Sequence, residues 1–334
     1  MARKECQGEN LTACLDCPRI ARCEMLERVY NRRLELREHL PAPRDDQVHP
    51  ANKLNELTGG QWLYFTKSLL VTTYPAACGH ELRRRHGANK PPHLMQHLIE
   101  FFTKGGEKVL DPFAGVGGTL LGAALAQPPR DCLGIEINPA WVEIYHRVLQ
   151  ENPGLASYPL LTGDCLEVMA GLPDNSYHFI VTDPPYNTHL RRTMCNGRYD
   201  DRFANRRTDY DMRSHEPGDL ANLASYEAYL AAMGKVLAAC YRVLQPGRYM
   251  VIILRDAYQG GEYIFTHADI ARQARRQGFI PKGDIIWYQA GTRLRPYGYP
   301  FAYVPNIVHQ HILVLRKPGK STAGNKKDAP DNQG

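Results

Sequence analysis

The sequence predicts an α/β fold with a mostly parallel sheet and helices on both faces, preceded by a small module of four cysteines. Three observations support this prediction. From about residue 62 onward, short apolar runs ending in Asp or Gly alternate with segments of helical periodicity, a rhythm typical of βαβ units. The chain has 334 residues, 43% of them hydrophobic, which is enough for one large core. Four of its nine cysteines lie within the first 23 residues.

The predicted strands and helices alternate along the chain. Strands are expected at residues 109–111, 132–137, 160–161, 179–182, 249–254, 285–288 and 311–315, and helices at residues 119–126, 140–150, 165–170, 226–244 and 267–277. The long helix is expected to close at a turn formed by Gln245, Pro246 and Gly247, because proline and glycine end helices.

Composition divides the chain into four parts. Residues 1–40 are predicted to form a cysteine-rich segment and a helix, and residues 41–59, punctuated by Pro41, Pro43 and Pro50, a linker. Residues 60–316 form the main domain, in which residues 187–223 are an inserted loop without periodicity. Residues 317–334 lack large apolar side chains and are expected to be a disordered tail.

The charge of the chain is mildly basic and unevenly distributed. The formal net charge is +6, and seven arginines lie between Asn187 and His215. Arginine-rich loops in a weakly basic protein suit a polyanion, while a solvated charged loop is the alternative. The candidate nucleic-acid contacts are Arg191, Arg192, Arg198, Arg202, Arg206 and Arg207. A second basic cluster consists of Arg83, Arg84, Arg85 and His86.

Hydropathy bears on the location of the protein. No apolar run approaches the ~20 residues that span a bilayer, and the N-terminus carries no apolar signal region. We therefore expect a soluble cytoplasmic protein, of a prokaryote or a phage-infected cell, with no membrane partner.

Three acidic residues are predicted to end successive strands and to bind one ligand. Asp111 lies at the carboxyl end of a predicted strand. A turn that contains Gly115 and Gly117 follows, and then a helix. Glycine permits tight turning and close approach of a ligand to the backbone. An acid at the end of the next strand, Glu136, can accept both hydroxyls of a ribose, and Asp164 can face an adenine edge. The three acids fit an adenosine ligand at the switch point of an open sheet.

The competing ligand for such a turn is NAD. The dinucleotide fingerprint needs a third small residue at position 120, where this chain has Leu120. The glycine turn alone also fits a purely structural role. Together with the two following acids, it favours the adenosine interpretation.

The tetrapeptide Asp183–Pro184–Pro185–Tyr186 follows the fourth strand of this series. Two prolines remove backbone donors and leave carbonyls free to accept. The Asp183 carboxylate and the Pro184 carbonyl can accept the two hydrogens of an aromatic amine, which localises its lone pair and stabilises the charge that develops on attack. Tyr186 offers a flat face on which a ring can stack. The alternative is a structural Pro-Pro turn with Asp183 as a cap.

These motifs together resemble a known family. The run DPFAGVGGT, residues 111–119, resembles the AdoMet-binding motif of the amino-methyltransferases of DNA, and residues 89–94 are similar to the Pro-containing segment that flanks the methionine end of the cofactor in that family. The resemblance implies a Rossmann-like AdoMet-dependent methyltransferase fold. It places Glu136 at the ribose and Asp164 at the adenine. On the methionine side it places Lys90, Asp111, Phe113, Gly115 and Gly117.

The tetrapeptide is the hallmark of the same family. The cofactor motif precedes it, as in the γ-type order, and the resemblance covers roughly residues 60–317. It implies a site-specific DNA methyltransferase that acts on the exocyclic amino group of a flipped base, adenine-N6 before cytosine-N4, as in restriction-modification. A tRNA guanine-N2 methyltransferase is the alternative enzyme, because related tetrapeptides occur there. A redox-responsive nucleic-acid-binding protein is the alternative of another class.

Target recognition is expected in two loops. The segment 187–223 follows the tetrapeptide directly and mixes arginines with Tyr199, Phe203 and Tyr210. At this place it can close over a flipped base and contact phosphates. The segment 291–306 places Arg293 and Arg295 among aromatic residues, and simple packing is an equal alternative for it. Because no large recognition domain is visible, either the DNA target is short or a homodimer partner contributes.

The N-terminal cysteines form a candidate metal site. Cys6, Cys14, Cys17 and Cys23 have the spacing C-x7-C-x2-C-x5-C. Four thiols this close together indicate a ligand cage for zinc or an iron–sulfur cluster. The spacing resembles the four-cysteine site of WhiB-like iron–sulfur regulators, which implies a [4Fe–4S] cluster, with zinc as the alternative.

Overall fold

The fold is seen in a computed structural model, which describes residues 47–72, 74, 76–87, 89–186, 216–289, 292 and 294–319. Two sets of predicted site residues lie outside these ranges. They are the four N-terminal cysteines, Cys6, Cys14, Cys17 and Cys23, and the six arginines Arg191, Arg192, Arg198, Arg202, Arg206 and Arg207. Within the described ranges, no helix is both long enough and apolar enough to cross a bilayer.

In the described part of the chain, eight strands form one sheet in the order β1-β9-β10-β6-β5-β2-β3-β4. Their bounds are β1 Leu69–Leu70, β2 Lys108–Asp111, β3 Asp131–Glu136, β4 Leu160–Thr162, β5 Tyr177–Thr182, β6 Leu244–Leu254, β9 Ile280–Tyr288 and β10 His309–Arg316. Strand β10 runs antiparallel to both of its neighbours, while the other adjacent pairs are parallel. The predicted mostly parallel sheet is therefore confirmed. Strands β7 (Ala257–Gln259) and β8 (Glu262–Ile264) form a separate hairpin.

The helices cover both faces of the sheet, as predicted. Their bounds are α1 Gly59–Phe65, α2 His80–Arg83, α3 Pro92–Phe102, α4 Gly118–Leu125, α5 Pro139–Glu151, α6 Cys165–Ala170, α7 Tyr226–Val243 and α8 Thr266–Arg276. Successive residues of the central strands face opposite sides: Val109, Phe179 and Val251 pack with α3, α4 and α5, whereas Leu110, Ile180 and Ile252 pack with α6, α7 and α8. Because both faces are buried, the central positions of these strands are consecutive apolar residues and show no alternation with polar ones.

Residues 47–65 pack against helix α3. The Asn55 side chain donates to the carbonyl of Phe101 at 2.6 Å, and helix α1 begins with a capping box between Thr58 and Gln61. The Phe65 ring stacks on Phe101 with centroids 3.8 Å apart. An aromatic pair of this kind contributes about 0.5–1.5 kcal/mol beyond its buried area. This segment therefore packs against the core of the domain.

Two boundaries differ from the sequence prediction. Pro246 and Gly247 lie within β6 rather than in a turn before it, at a point where the register between β5 and β6 shifts. Lys317, expected as the start of the tail, is 7% exposed. Its ammonium donates to the carbonyls of Tyr241 at 2.5 Å and Leu244 at 2.7 Å. Burial of this charge is possible because those carbonyls stand where α7 passes into β6.

Candidate active site

The four predicted acids meet at one edge of the sheet. Asp111 ends β2, Glu136 ends β3, Asp164 follows β4 and Asp183 follows β5. Because these strands are parallel, their carboxyl ends share an edge, and all four acids line one cleft of about 1160 Å³ including its open mouth. Ligands of open α/β sheets bind at this position.

The Asp111 carboxylate is fully engaged by the protein. It accepts hydrogen bonds from the Phe113 N–H at 3.0 Å, the Thr182 hydroxyl at 2.7 Å and the Thr119 hydroxyl at 2.5 Å. Burial raises the pKa of Asp111 to about 6, against the lowering effect of these donors. Asp111 therefore borders the predicted methionine side, but its bonds tie the glycine turn and α4 to the end of β5.

The two glycines of the turn have different roles. Gly115 lines the cleft with φ +52, and its N–H donates to Glu136 at 2.9 Å. Gly117 caps α4 with φ +77 and lies next to the residues that line the cleft. A Cβ at Gly117 would stand 2.2 Å from the Tyr145 ring, so this glycine is required for packing against α5.

Glu136 is held by backbone donors and retains free acceptor positions. Its two oxygens accept from the N–H groups of Gly115 at 2.9 Å and Asn138 at 2.8 Å. Burial raises the pKa of Glu136 to about 7, and the charges of Asp219 and Asp111 act in the same direction. Since a carboxylate has about four lone-pair positions, the remaining ones can accept a pair of ligand hydroxyls.

Asp164 caps α6 and faces one side of the cleft, whose residues could not be predicted from the sequence. One oxygen accepts from the Leu166 N–H at 2.7 Å. The other lies 3.0 Å from where a Cβ would be at Gly218, a residue with φ +94. Gly218, Asp219, Leu220 and Ala221 line the cleft. They belong to the end of the inserted segment 187–223, for which the sequence predicts target recognition but no contact with the cofactor cleft.

The Asp183 carboxylate is bound on both oxygens. Lys90 donates from its ammonium to Oδ2, and the Tyr186 hydroxyl donates to Oδ1 at 2.6 Å. The side chains of Lys90 and Asp183 are 7% and 15% exposed. Lys90 therefore reaches the tetrapeptide, a contact that its predicted place on the methionine side did not include. Burial, then the charge of Asp183, raises the pKa of Tyr186 far above its usual value, so that its hydroxyl stays a donor.

The residues of the basic cluster 83–86 lie in different environments in the fold. Arg83 is 1% exposed, and its guanidinium donates to the Lys90 carbonyl at 2.5 Å. It thus fixes the backbone that carries Lys90 and offers nothing to an external polyanion. His86 lines the cleft, where burial and then the charges of Lys90 and Arg83 lower its pKa to about 4.

Two aromatic rings complete the cleft beside Gly115. His86 and Trp141 pack edge to face with centroids 4.9 Å apart, and both line the cleft. Sequence reasoning missed them because His86 reads as part of a basic run and Trp141 as one apolar position of a helix. Their neutral surfaces make this wall of the cleft apolar.

Tyr186 also lines a second, much smaller cavity, which has room for only about one water molecule. Tyr226, Tyr229 and Arg255 line it too. The guanidinium of Arg255 donates to the carbonyl of Ile307 at 2.7 Å. The tetrapeptide therefore stands between an acid-lined cleft and an aromatic cavity. Pro184 and Pro185 line the larger cleft.

Parts of the chain resemble known proteins. A tRNA (guanine(10)-N2)-dimethyltransferase of Pyrococcus abyssi (strain GE5 / Orsay) is 32% identical over 104 residues, which are 31% of this chain and 30% of that protein. The candidate methylase YubD of Escherichia coli (strain K12) is 44% identical over 69 residues, 21% of this chain and 28% of that protein. The match thus spans under a third of either relative.

Among solved structures, TTHA0409 of Thermus thermophilus is a candidate DNA modification methylase in complex with S-adenosyl-L-methionine. It is 29% identical, with a TM-score of 0.32, over 50% of this chain and 56% of that one. The family model described as DNA methylase matches residues 36–147 and 177–333, which is more than half of the chain. The chain therefore belongs to the DNA methylase family.

Proposed function

We propose that the protein transfers a methyl group from S-adenosylmethionine (AdoMet) to the exocyclic amino group of a base in DNA, adenine-N6 before cytosine-N4. One observation carries this proposal. The Asp183 carboxylate and the carbonyl-bearing prolines after it line the same cleft as three acids that end successive strands. A methyl donor and an amine acceptor can therefore be held side by side at one sheet edge.

The cleft fits AdoMet in shape and in donor set. Bare backbone at Gly115 and Gly218 allows a ligand to approach closely. Glu136 keeps acceptor positions for ribose hydroxyls, and Asp164 keeps one oxygen for an adenine amino group. The neutral His86 and Trp141 rings offer an apolar wall. When bound, AdoMet supplies an electrophilic methyl group, and the remaining roles belong to this chain.

The chain activates the amine by accepting its hydrogens. Asp183 uses one lone-pair position on each oxygen for Lys90 and Tyr186. About two positions remain, so the carboxylate can accept one amine hydrogen while the Pro184 carbonyl accepts the other. This pairing holds the nitrogen lone pair out of the ring conjugation and stabilises the positive charge that develops on attack.

The aromatic face of Tyr186 suits the base that donates the amine. A base in a duplex must leave the stack to reach such a site. Tyr186 lines the larger cleft together with Asp183 and Pro184. Aromatic faces bind extruded bases by stacking, and each such contact is worth about 1–3 kcal/mol.

A labelling experiment tests the proposal. The purified protein is incubated with radiolabelled AdoMet and either unmethylated genomic DNA or bulk tRNA, and the nucleosides are then identified. Label in N6-methyldeoxyadenosine is the expected result, and label in N4-methyldeoxycytidine would keep the DNA substrate and change the base. Label in neither DNA product would refute the proposal.

The second candidate is a tRNA guanine-N2 methyltransferase. The Pyrococcus abyssi relative, named as a tRNA (guanine(10)-N2)-dimethyltransferase, supports it over 31% of the chain. The amine of guanine has the same delocalised lone pair, so the Asp183 chemistry applies unchanged. Label in tRNA guanosine alone would establish this candidate.

The N-terminal and inserted segments keep their predicted roles within this proposal. Residues 1–40 are the candidate [4Fe–4S] or zinc module, followed by a linker to the methyltransferase domain, and the arginines of residues 187–223 are candidate phosphate contacts. Anaerobic purification followed by dithionite bleaching tests the cluster, and one stoichiometric zinc in a colourless protein would exclude it. Light scattering tests whether a homodimer forms.

A further inference from the structure

A second group of titratable side chains lies at the carboxyl end of β6. Asp256 follows this strand, His267 lies in the first turn of α8, and His311 lies in β10. One ligand atom from each of the three lies within 4.8 Å of the other two. Strand β6 is the parallel neighbour of β5, with Ile252 paired to Thr182. The group therefore adjoins the edge that carries the catalytic tetrapeptide.

The Asp256 carboxylate is the centre of this group. His267 Nδ1 lies 2.8 and 3.0 Å from its two oxygens, and the backbone N–H of His267 donates to it at 3.2 Å. His311 Nε2 lies 3.4 Å from Asp256 Oδ2. That approach lacks hydrogen-bond geometry, so His311 Nε2 is a buried nitrogen without a partner.

The other nitrogen of His311 is engaged. Its Nδ1 contacts Asp284 Oδ2 at 2.8 Å. The His311 ring thus lies between the carboxylates of Asp284 and Asp256, and either a proton on Nε2 or a metal cation in its place can offset their negative charge. Among the described residues, six buried side-chain atoms have no partner, and three of these belong to Asp284, Gln310 and His311.

We propose that Asp256, His267 and His311 bind a divalent transition metal ion of the zinc class. Two imidazole nitrogens and one carboxylate oxygen are a common ligand set for such ions. Asp284 would support the site by orienting His311, in the carboxylate–histidine–metal arrangement that is general in metalloproteins. The charges of Asp256 and Asp284 balance a dication, which lowers the cost of burying it.

At least one of the two imidazoles must reorient for both to bind one ion. Their rings are parallel, with centroids 3.7 Å apart and an interplanar angle of 5°, so their lone pairs do not yet converge. The side chain of His267 is 22% exposed, whereas that of His311 is 6% exposed. His267 is therefore the ring that turns, and its exposed side is the entry path for the ion.

The bound ion would join three elements beside the aromatic cavity. It would tie the end of β6 to the start of α8 and to β10. Arg255, the residue before Asp256, lines that cavity together with Tyr186 and Thr266, which precedes His267. The bound ion would thus hold one wall of the cavity in place. The proposal does not depend on which substrate the enzyme methylates.

Metal content of full-length variants tests the site. The wild type, Asp256→Asn, His267→Gln and the control His146→Gln, which alters a surface histidine of α5, are stripped with chelator, reloaded with zinc, desalted and analysed for bound metal. The wild type and the control are expected to retain one equivalent more than the two site variants. Because the N-terminal cysteines bind the same amount of metal in all four proteins, the difference in metal content between them reports on this site.

The supporting role of Asp284 gives a second measurement. Asp284→Asn is expected to keep the site and to weaken zinc binding about 10–100-fold. Circular dichroism confirms that each variant is folded, and His267→Gln is preferred because this ring is the more exposed. Equal metal content in all variants would overturn the proposal and leave a protonated hydrogen-bond network as the role of the group.

Discussion

The ammonium of Lys90 donates a hydrogen bond to Asp183, 93 residues away in the chain. Lys90 lies just before helix α3, and Asp183 begins the tetrapeptide after β5. The guanidinium of Arg83 fixes the Lys90 carbonyl at 2.5 Å. This buried pair links the segment assigned to the cofactor side with the acid that accepts the amine, so each is positioned by the other.

Removing the Lys90 charge should destabilise the fold. Lys90→Met leaves the Asp183 carboxylate buried without its partner, and breaking a buried ion pair costs about 3–5 kcal/mol. Urea denaturation measures the free energy of unfolding, with Lys235→Met on the exposed side of α7 as the matched control. The double variant Lys90→Met/Asp183→Asn should recover most of the loss, and failure to recover would show that the pair is not the cause.

Neutralising Asp183 should strongly slow methyl transfer while largely sparing cofactor binding. Asp183→Asn keeps the size of the side chain but removes the carboxylate that accepts the amine hydrogen. We expect the turnover number to fall about 10²–10³-fold, as for loss of one preorganised electrostatic contact, while the dissociation constant for AdoMet changes far less, because the amide oxygen can still accept from Lys90. The control is Asp131→Asn, at an exposed residue that begins β3. Wild-type turnover in Asp183→Asn would refute the catalytic role.

A methyl group at Gly117 should disrupt the turn that leads into α4. Gly117→Ala combines a left-handed φ of +77° with a Cβ only 2.2 Å from the Tyr145 ring. Gly106→Ala has a similar φ of +73° with open space around the Cβ. The control therefore shows only the backbone strain, about 1–2 kcal/mol. Thermal unfolding should show a clearly larger loss for Gly117→Ala, and equal losses would mean that the contact with Tyr145 relaxes freely.

The pH dependence of AdoMet binding should follow Glu136. Burial raises its pKa to about 7, helped by the charges of Asp219 and Asp111. Below that pH the carboxyl carries a proton and accepts less well, so the dissociation constant for AdoMet should rise, approaching tenfold per pH unit. Isothermal titration from about pH 5.5 to about pH 8.5 measures this dependence. Glu136→Gln should bind weakly with a flat profile, and a steep profile in that variant would exclude Glu136 as the titrating group.

The same carboxyl should also influence the stability of the fold. Stability should fall as the pH rises, whereas AdoMet binding should become tighter. A pKa raised in the folded state means that the protonated form is preferred there. The stabilising contribution is complete below the usual pKa of 4.5 and is lost as the pH rises through about 7. The free energy of unfolding of the wild type, relative to Glu136→Gln, should therefore fall over that range in urea denaturation without ligand.

The sequence by itself determined the fold class and the position of the four acids. Strand–helix alternation implies parallel strands, and parallel strands bring their carboxyl ends to one edge, so Asp111, Glu136, Asp164 and Asp183 could be placed from local patterns alone. Glycine turns and proline pairs are equally local signals, since they act through the backbone of their own residues.

Only the tertiary structure decided the contacts between distant segments. The pairing of Lys90 with Asp183, the packing of Gly117 against Tyr145 and the meeting of Asp256 with His311 have no signal in the sequence around either partner. Such contacts depend on how strands and helices pack in three dimensions, and many pairings of the same side chains are compatible with the same periodicity. The sequence therefore identified the four acids of the cleft, whereas packing added His86, Trp141 and residues 218–221 to its lining and decided which side chains touch.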